Sequence, residues 1–205
     1  MTPQEAVAAN ALLAGQEPRE IINWCVQRFG PRLAMSTSFG PNSGVLIHIV
    51  FKLLGLRLPL FFIDPGDTPL SNLAYGAMLC DEFGIPCLYH FPLPPATKEE
   101  REQLRAGGAA RLEAYKRLKV APFESVMRGN GYAAVLHGAR ADQADDRNFS
   151  VLEPRDDGSF VQVYPLVGMS NVDAGAHLLR YDLPVHPDGL PGGGRKGCGI
   201  HRKRT

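Results

Sequence analysis

Short apolar segments alternate with longer amphipathic segments along most of this chain. Apolar residues recur at near-helical spacing through residues 3–29, and Gly30-Pro31 ends that run. Short, mostly apolar segments then predict strands at residues 32–36, 58–63, 86–90 and 133–137. Helices are predicted between them, at about 43–54, at 69–83 and late in 97–130. Strands that alternate with helices predict an α/β fold with a parallel sheet, whose ligands bind at the carboxyl ends of the strands.

Two segments depart from this alternation. Residues 91–121 carry a charged run, from Lys98 to Glu102, and predict a surface loop followed by an exposed helix with a solvated charged face. Residues 149–152 and 160–164 flank Arg155-Asp156-Asp157-Gly158, which predicts a β-hairpin. The end of the chain is rich in Gly and Pro. We therefore expect a single domain over residues 1–187, followed by a flexible basic tail over residues 188–205.

The composition argues against several classes of function. The 205 residues include 22 Lys and Arg against 21 Asp and Glu, and the net charge of +1 gives no global field to attract nucleic acid or a membrane surface. No apolar run is long enough to span a bilayer and the start of the chain lacks a secretory signal, so a cytoplasmic protein is expected. Four cysteines without paired spacing argue against a zinc site or an all-cysteine iron–sulfur cluster, and free thiols are expected.

One cysteine stands apart from the others. Cys198 lies between two glycines inside a basic cluster, Arg195-Lys196-Gly197-Cys198-Gly199-Ile200-His201-Arg202-Lys203-Arg204. A thiol in a solvated chain end does not fill a core, and the glycines would let an incoming group approach its sulfur. The cationic neighbours favour the thiolate, which is the nucleophilic form. Cys198 is therefore a candidate nucleophile, and the alternative is an incidental cysteine in a disordered basic tail.

Two polar loops follow predicted strands. The first, residues 35–44, has hydroxyl groups and glycines that leave backbone N–H groups exposed at a helix N-terminus, where an anion would bind. It matches neither the Walker loop nor the dinucleotide-binding loop, and the alternative is that its Ser and Asn residues only cap the helix. The second, residues 138–147, contains Arg140 and Arg147, which can each make bidentate contacts to phosphate or sulfate. The alternative there is surface pairing with Asp142, Asp145 or Asp146, although strand ends in such sheets face one crevice.

The order of these motifs along the chain resembles that of the 3′-phosphoadenylyl-sulfate reductase family. Its members are thioredoxin-dependent enzymes on the adenine nucleotide α-hydrolase-like fold, a three-layer α/β/α sandwich. Residues 36–40 look like the modified PP-loop of that family, and Asp64 with Gly66 looks like its Asp-Thr-Gly segment. The family's Gly-x-Arg-x-x-Gln-Ser-x-x-Arg pattern is matched by Gly138, Arg140, Gln143 and Arg147. Cys198-Gly199-Ile200-His201 matches its C-terminal motif.

The resemblance implies a mechanism and a set of site residues. The Cys198 thiolate attacks the sulfuryl sulfur of 3′-phosphoadenylyl sulfate, which expels adenosine 3′,5′-bisphosphate and leaves an S-sulfocysteine. A thioredoxin or glutaredoxin thiol then releases sulfite, and His201 orients or protonates. The implied substrate-binding residues are Ser36, Thr37, Ser38, Phe39, Gly40, Asp64, Gly66, Gly138, Arg140, Gln143 and Arg147. We expect an enzyme of assimilatory sulfate reduction that forms a homodimer and binds neither a metal nor a cofactor.

The chain also departs from the family pattern. Pro65 stands where the family has Thr, Ala144 replaces a Ser, and Gly197 replaces a Glu. The stretch between Pro187 and Cys198 is much shorter than in the family, so the tail of a neighbouring subunit could supply the thiol. Two alternative functions stay open. One is an adenylating enzyme of the same superfamily, which the missing Asp in the first loop argues against, and the other is a nucleotide-binding protein without catalysis.

Overall fold

Helices and strands alternate along the chain as the pattern predicts. The computed structural model describes residues 1–106, 108–143 and 150–190. The helices are α1 (Pro3–Leu13), α2 (Pro18–Phe29), α3 (Ser43–Ile47), α4 (Leu70–Phe83), α5 (Lys98–Arg105), α6 (Gly108–Tyr115), α7 (Ala121–Gly129) and α8 (Asn171–Arg180). The strands are β1 (Leu33–Thr37), β2 (Leu60–Ile63), β3 (Cys87–His90), β4 (Ala134–Leu136), β5 (Leu152–Pro154) and β6 (Val161–Val163). None of these helices has the length and apolarity needed to cross a membrane.

Shorter helical segments complete this description. Helices α3 and α6 continue as the π-helical segments His48–Leu53 and Lys116–Val120. Short 3₁₀ turns lie at Gly30–Arg32 and Ala141–Gln143. The π-helical segment after α3 accounts for most of the helix that the pattern predicts up to residue 54.

The strands of the described residues form a six-stranded sheet in the order β3-β2-β1-β4-β6-β5. Neighbouring strands are parallel, except that β5 and β6 pair antiparallel as the predicted hairpin. The parallel α/β fold is therefore confirmed. The chain runs outward from β1 to β3 and then returns to β4 on the other side of β1, so the strand order reverses between β1 and β4. Ligands of open α/β sheets bind at the carboxyl ends of the strands beside such a switch point.

Helices cover both faces of the sheet, which confirms the predicted three-layer α/β/α arrangement. One face carries α1, α2, α3, α4 and α8, here called the thick layer, whose apolar residues pack on strand residues such as Met35 and Phe62. The other face carries α7, and α5 and α6 lead into it; these three helices are here called the thin layer. There Phe61 packs on Phe123 of α7. Because alternate residues of β2 enter opposite clusters, both faces of this strand are buried.

Two helical regions differ from the prediction. The predicted helical run over residues 3–29 is two helices, since Gly15 has a φ of +74° and Pro18 begins α2, where its ring fits the first turn. Helix α8 is absent from the prediction, although a capping box marks its start. The Ser170 hydroxyl accepts the Asp173 N–H at 3.2 Å, and the Asp173 carboxylate accepts the Ser170 N–H at 3.1 Å.

A side chain of α1 closes one edge of the sheet. The Asn10 Nδ2 donates to the Leu152 carbonyl at 2.9 Å, and the Asn10 Oδ1 accepts the Leu152 N–H at 2.8 Å. The outward backbone groups of Leu152, in edge strand β5, are therefore satisfied by a side chain rather than by another strand.

Candidate functional site

A cavity of about 130 Å³ opens at the carboxyl ends of β1 and β2. The loops after these strands and the start of α4 form one wall, and the thin layer forms the other. The lining residues are Ser38, Phe62, Pro65, Asp67, Thr68, Pro69, Asn72, Leu104, Arg111, Tyr115 and Lys119. The cavity thus lies at the edge of the sheet where the strand pattern predicts a ligand.

The loop after β1 contributes Ser38 to this cavity. The Thr37 hydroxyl donates to Ser43 Oγ at 3.0 Å and accepts the Phe39 N–H at 3.0 Å. The Asn72 side chain of α4 donates to the Ser38 carbonyl at 2.9 Å. These hydrogen bonds fix the backbone of the loop, so Ser38 is presented to the cavity in a defined orientation.

Phe39 anchors the same loop in the thick layer. Its backbone has a φ of +50° and its side chain is fully buried, with the ring centroid 5.3 Å from that of Phe62. Gly76 of α4 lies beneath the ring, and a Cβ at this position would be 2.5 Å from Phe39 Cδ2. Because Gly76 has no side chain, the Phe39 ring can pack against α4, and this packing anchors the loop after β1.

The Asp64 carboxylate holds the loop after β2. Asp64 Oδ1 accepts the Gly66 N–H at 2.8 Å and the Thr68 hydroxyl at 2.9 Å, and Gly66 adopts a φ of +79°. The Asp64 N–H donates to the His90 carbonyl at 2.9 Å, which ties this loop to the end of β3. Thr68 lines the cavity and is a site residue that the sequence analysis missed. The family motif has a Thr hydroxyl at position 65, where this chain has Pro65. No local sequence signal indicates that the Thr68 hydroxyl lies at the site instead.

Arg140, in the loop after β4, is completely buried. Its Nε donates to Asp142 Oδ1 at 3.0 Å, and its terminal nitrogens donate to the side-chain oxygens of Asn42 and Asn171. Burial lowers the pKa of Arg140, and the Asp142 carboxylate partly opposes that change. Arg140 thus joins its own loop to the residue before α3 and the first residue of α8. Asp142 is one of the partners that the sequence allowed, and it is exposed, whereas the Arg140 side chain that bonds to it is completely buried.

The thin layer places polar side chains on the cavity. Arg111, Tyr115 and Lys119 line it from successive turns of α6 and the π-helical segment. The sequence analysis predicts a solvated charged face here, whereas Tyr115 is only 7% exposed. The difference arises because Tyr115 and Leu118 are buried on one side of the helical segment and bring the charges beside them to the cavity.

The charge that lines the cavity is positive. Among the lining residues Asp67 is the carboxylate, and Arg105 of α5 pairs with it. Arg111 and Lys119 add two cations to the lining. An anionic ligand is therefore favoured over a neutral or cationic one.

The predicted site residues fall into three groups. Ser38 lines the cavity, Gly40, Asp64 and Gly66 lie in the loops after β1 and β2, and Gly138 is half-buried in the loop after β4. Those that are buried are Ser36, Thr37, Phe39 and Arg140. Gln143 ends the turn Ala141–Gln143, and Arg147, Cys198 and His201 lie outside the described residues.

Known proteins match this chain over most of its length. Residues 32–187 match the family model of the phosphoadenosine phosphosulfate reductase domain. A phosphoadenosine 5′-phosphosulfate reductase from Synechocystis sp. is 31% identical over 174 residues, which cover 82% of this chain and 69% of the relative. Another from Synechococcus sp. is 29% identical over 184 residues, which cover 87% of this chain and 78% of the relative.

Solved structures share the fold. A phosphoadenylyl-sulfate reductase from Candida auris, in a phosphate complex, aligns with a TM-score of 0.73 at 19% identity, covering 91% of this chain and 90% of that chain. Yeast FAD synthetase, in complex with FAD, aligns with a TM-score of 0.60 at 13% identity, covering 91% of this chain and 64% of that chain. At these identities the likeness establishes the fold alone.

Proposed function

This chain belongs to the phosphoadenosine phosphosulfate reductase family, and on that premise we propose that it reduces 3′-phosphoadenylyl sulfate to sulfite and adenosine 3′,5′-bisphosphate. The family and its enzymatic character, both predicted from the sequence motifs, are confirmed. One observation carries the proposal. A positively charged cavity lies at the carboxyl ends of β1 and β2, bordered by the loops that the family motifs cover.

The lining of the cavity supports binding of an anionic nucleotide. Ser38 and Thr68 line the cavity with hydroxyl groups, and Arg111 and Lys119 line it with cationic side chains. Both kinds of group can donate hydrogen bonds to phosphate and sulfate. Arg140 serves a different purpose in this proposal. Its guanidinium nitrogens already bond to protein side chains, so Arg140 holds the loops in place rather than contacting the substrate.

The proposed chemistry is a thiolate displacement at sulfur. The Cys198 thiolate forms a bond to the sulfuryl sulfur while the bond from that sulfur to the phosphate oxygen breaks, and the electron pair leaves with adenosine 3′,5′-bisphosphate. Cations and hydroxyl groups near the phosphate stabilise the charge that develops on the leaving group. The product on the enzyme is S-sulfocysteine, and His201 is proposed to orient the groups or supply a proton.

A reduced dithiol protein completes the proposed cycle. One thiolate of thioredoxin or glutaredoxin attacks the Cys198 sulfur, which releases sulfite and forms a mixed disulfide. The second thiol of the donor then displaces Cys198, so the two electrons come from the donor, which leaves as its disulfide. A homodimer is part of the same proposal, and sedimentation of the full chain would check it.

The mass of the intact protein tests the proposed function. After incubation of the reduced chain with 3′-phosphoadenylyl sulfate and no electron donor, we expect a gain of one sulfonate group that maps to Cys198. Reduced thioredoxin should remove the adduct and yield an equivalent amount of sulfite. An unmodified Cys198 in a chain that still binds the nucleotide would instead favour a nucleotide-binding protein without catalysis.

Two cysteine variants provide the controls. Cys198→Ser should abolish the adduct and keep nucleotide binding, whereas an adenylating enzyme would be little affected by this change. Cys25→Ala should keep the adduct, because burial raises the pKa of the Cys25 thiol to about 12 and so keeps it protonated and unreactive. Transfer to a cysteine other than Cys198 would overturn the assigned nucleophile.

A further inference from the structure

The turn between α4 and β3 brings two cysteines together. The Ile85 N–H donates to the Cys80 carbonyl at 2.9 Å. The Gly84 N–H donates to the Asp81 carbonyl at 3.2 Å. These two hydrogen bonds form the Schellman motif at the end of α4, and Gly84 supplies the positive φ, of +60°, that the motif requires. The motif turns the chain back at Cys80, and β3 begins shortly afterwards at Cys87.

The side chains of Cys80 and Cys87 meet across this turn. A hydrogen bond from the Cys87 thiol to the Cys80 sulfur is the main cause of a lowered pKa at Cys80 and of a raised pKa at Cys87. Both side chains pack on the apolar cluster of the thick layer, and both are half-buried. Their spacing in the sequence is not that of a paired cysteine motif, so the pair depends on the tertiary turn.

Contact and partial exposure distinguish this pair from a structural thiol. A disulfide forms only between cysteines whose side chains point at each other, and the hydrogen bond between Cys80 and Cys87 meets that condition. Cys25, by contrast, is fully buried, and burial raises the pKa of its thiol to about 12. Because Cys80 is half-buried and its pKa is lowered, it can meet a reagent from solvent and carries more of the reactive thiolate.

We propose that Cys80 and Cys87 form a redox-active dithiol, which a disulfide compound oxidises to a disulfide within the chain and which a dithiol reduces again. The Cys80 thiolate attacks one sulfur of the incoming disulfide, whose S–S bond breaks, and one thiolate leaves. Cys87 then gives up its proton and attacks the Cys80 sulfur, which releases the second thiol. Two electrons pass from the pair to the incoming disulfide, and the two thiol protons end on the thiols that it releases. This inference is independent of the proposed function, because Cys198 takes no part in it.

Thiol titration of the full chain tests the pair. The variant Cys25→Ala with Cys198→Ser keeps Cys80 and Cys87 as its only cysteines. After incubation with glutathione disulfide, acid quenching and denaturation, we expect its two thiols to fall to none, with no glutathione retained. In the natural chain, cleavage after Glu82, which lies between the two cysteines, should give fragments that stay joined until they are reduced. Two free thiols, glutathione retained on both cysteines, or a link between two chains would overturn the proposal.

Two serine variants in the same background assign the roles of the two thiols. Cys87→Ser keeps the attacking thiol but lacks the one that displaces glutathione, so glutathione should stay on Cys80. Cys80→Ser leaves only Cys87, whose pKa burial still raises, and we expect it to acquire glutathione about tenfold more slowly. Equal rates of modification in the two variants would overturn the assignment of Cys80 as the attacking thiol.

The melting temperature shows whether the disulfide belongs to the folded protein. A link between Cys80 and Cys87 closes a loop and so restricts the unfolded chain, and we expect the melting temperature of the oxidised chain to rise by about 5 °C. Dithiothreitol should reverse the rise, and Cys87→Ser should show none. A lower melting temperature in the oxidised chain would mean that the link forms only when the fold opens, and it would overturn the proposal.

Discussion

The thick and thin layers of the molecule contribute to the site in different ways. In the described residues, the apolar cluster beneath the thick layer contains 29 buried residues, whereas the cluster beneath the thin layer contains eight. Helix α5 buries no side chain, and its Arg105 meets the rest of the molecule through an ion pair with Asp67. The thick layer therefore fixes the strand-end loops and, through Tyr75 and Ser71, residues 184–188. The thin layer supplies the cations of the cavity and can shift at a lower cost in free energy.

This comparison makes the two layers separable by mutation. Substitutions at the buried contacts of the thick layer should lower the free energy of unfolding, because they disturb a densely packed core. Substitutions at the cavity face of the thin layer should weaken ligand binding and leave the free energy of unfolding nearly unchanged.

Among the substitutions considered, replacement of Arg140 is expected to lower the free energy of unfolding most. Arg140→Met keeps much of the side-chain volume but leaves Asn42, Asp142 and Asn171 without their shared donor. Since Asn42 is buried and Asn171 is half-buried, both lose a hydrogen bond from a charged donor, and we expect the free energy of unfolding to fall by about 3–5 kcal/mol. Urea denaturation followed by circular dichroism would measure it.

The Arg140→Lys variant tests whether a positive charge at this position is sufficient for the stability that Arg140 provides. Arg140→Lys keeps the cation but cannot reach three acceptors with one ammonium group, so an intermediate loss is expected. If Arg140→Met unfolded at the same urea concentration as the natural chain, Arg140 would not hold the loops of the thick layer together.

A pair of glycines compares the two layers directly. In α3 of the thick layer, Gly44→Ala places a Cβ 2.3 Å from the Tyr75 hydroxyl oxygen, and we expect a loss of about 1–3 kcal/mol. In α7 of the thin layer, a Cβ at Gly129 meets no atom within 4 Å, so Gly129→Ala should be neutral or slightly stabilising. Thermal unfolding of both variants makes the comparison, and equal melting temperatures would contradict it.

The thick layer should also lose stability in mild acid. The His177 Nε2 lies 2.9 Å from the Nδ1 of His48, and burial lowers the pKa of His177 to about 4, with His48 and Arg180 adding to the shift. The unfolded chain takes up this proton near pH 6.5, and the folded chain only near pH 4. The stabilising contribution of neutral His177 is therefore complete above pH 6.5 and is lost as the pH falls toward 4.

The loss of stability in acid that is due to His177 can be measured by comparing the natural chain with a variant that lacks this histidine. After allowance for the partial exposure of His177, we expect about 1–2 kcal/mol less stability at pH 4.5 than at pH 7. The difference between the natural chain and His177→Gln, measured by urea denaturation at both pH values, isolates the contribution of His177. A difference that does not change with pH would exclude His177 as the titrating group.

The smallest effect on folding is expected in the thin layer. Arg111→Ala removes a cation from the cavity, and we expect the Kd for 3′-phosphoadenylyl sulfate to rise about tenfold, which corresponds to about 1.4 kcal/mol of binding free energy. The melting temperature should stay the same, because the side chain belongs to no apolar cluster. Lys98→Ala, on the exposed surface of α5, is the matched control. Calorimetric titration measures both variants, and equal Kd values would remove Arg111 from the binding site.

The sequence predicts the strands of the sheet well, for a physical reason. Strands such as β2 are buried on both faces, so they appear as continuous apolar runs whatever surrounds them. Helix α8 escapes the prediction because its apolar face is interrupted by small residues, although the capping box of Ser170 and Asp173 was present as a local signal.

The site could be predicted only in part. The motif that contains Arg140 is visible in the sequence, but its partners Asn42 and Asn171 lie 98 and 31 residues away, so its role in joining loops depends on the tertiary structure. Likewise, the sequence around Arg111 has the charged pattern of an exposed surface helix, so nothing in it distinguishes Arg111 as a site residue. Only the packing of Tyr115 beside it shows that this charge borders a cavity.

The side-chain amide of Asn10 in α1 covers edge strand β5, where a strand of another chain could otherwise pair. It occupies the outward N–H and C=O groups of Leu152, which would otherwise be open to a strand of another chain. An edge strand with vacant backbone groups is a template for aggregation. Removing helix α1 would therefore leave the outward backbone groups of Leu152 without the Asn10 amide, and we expect strand β5 then to pair more readily with a strand of another chain.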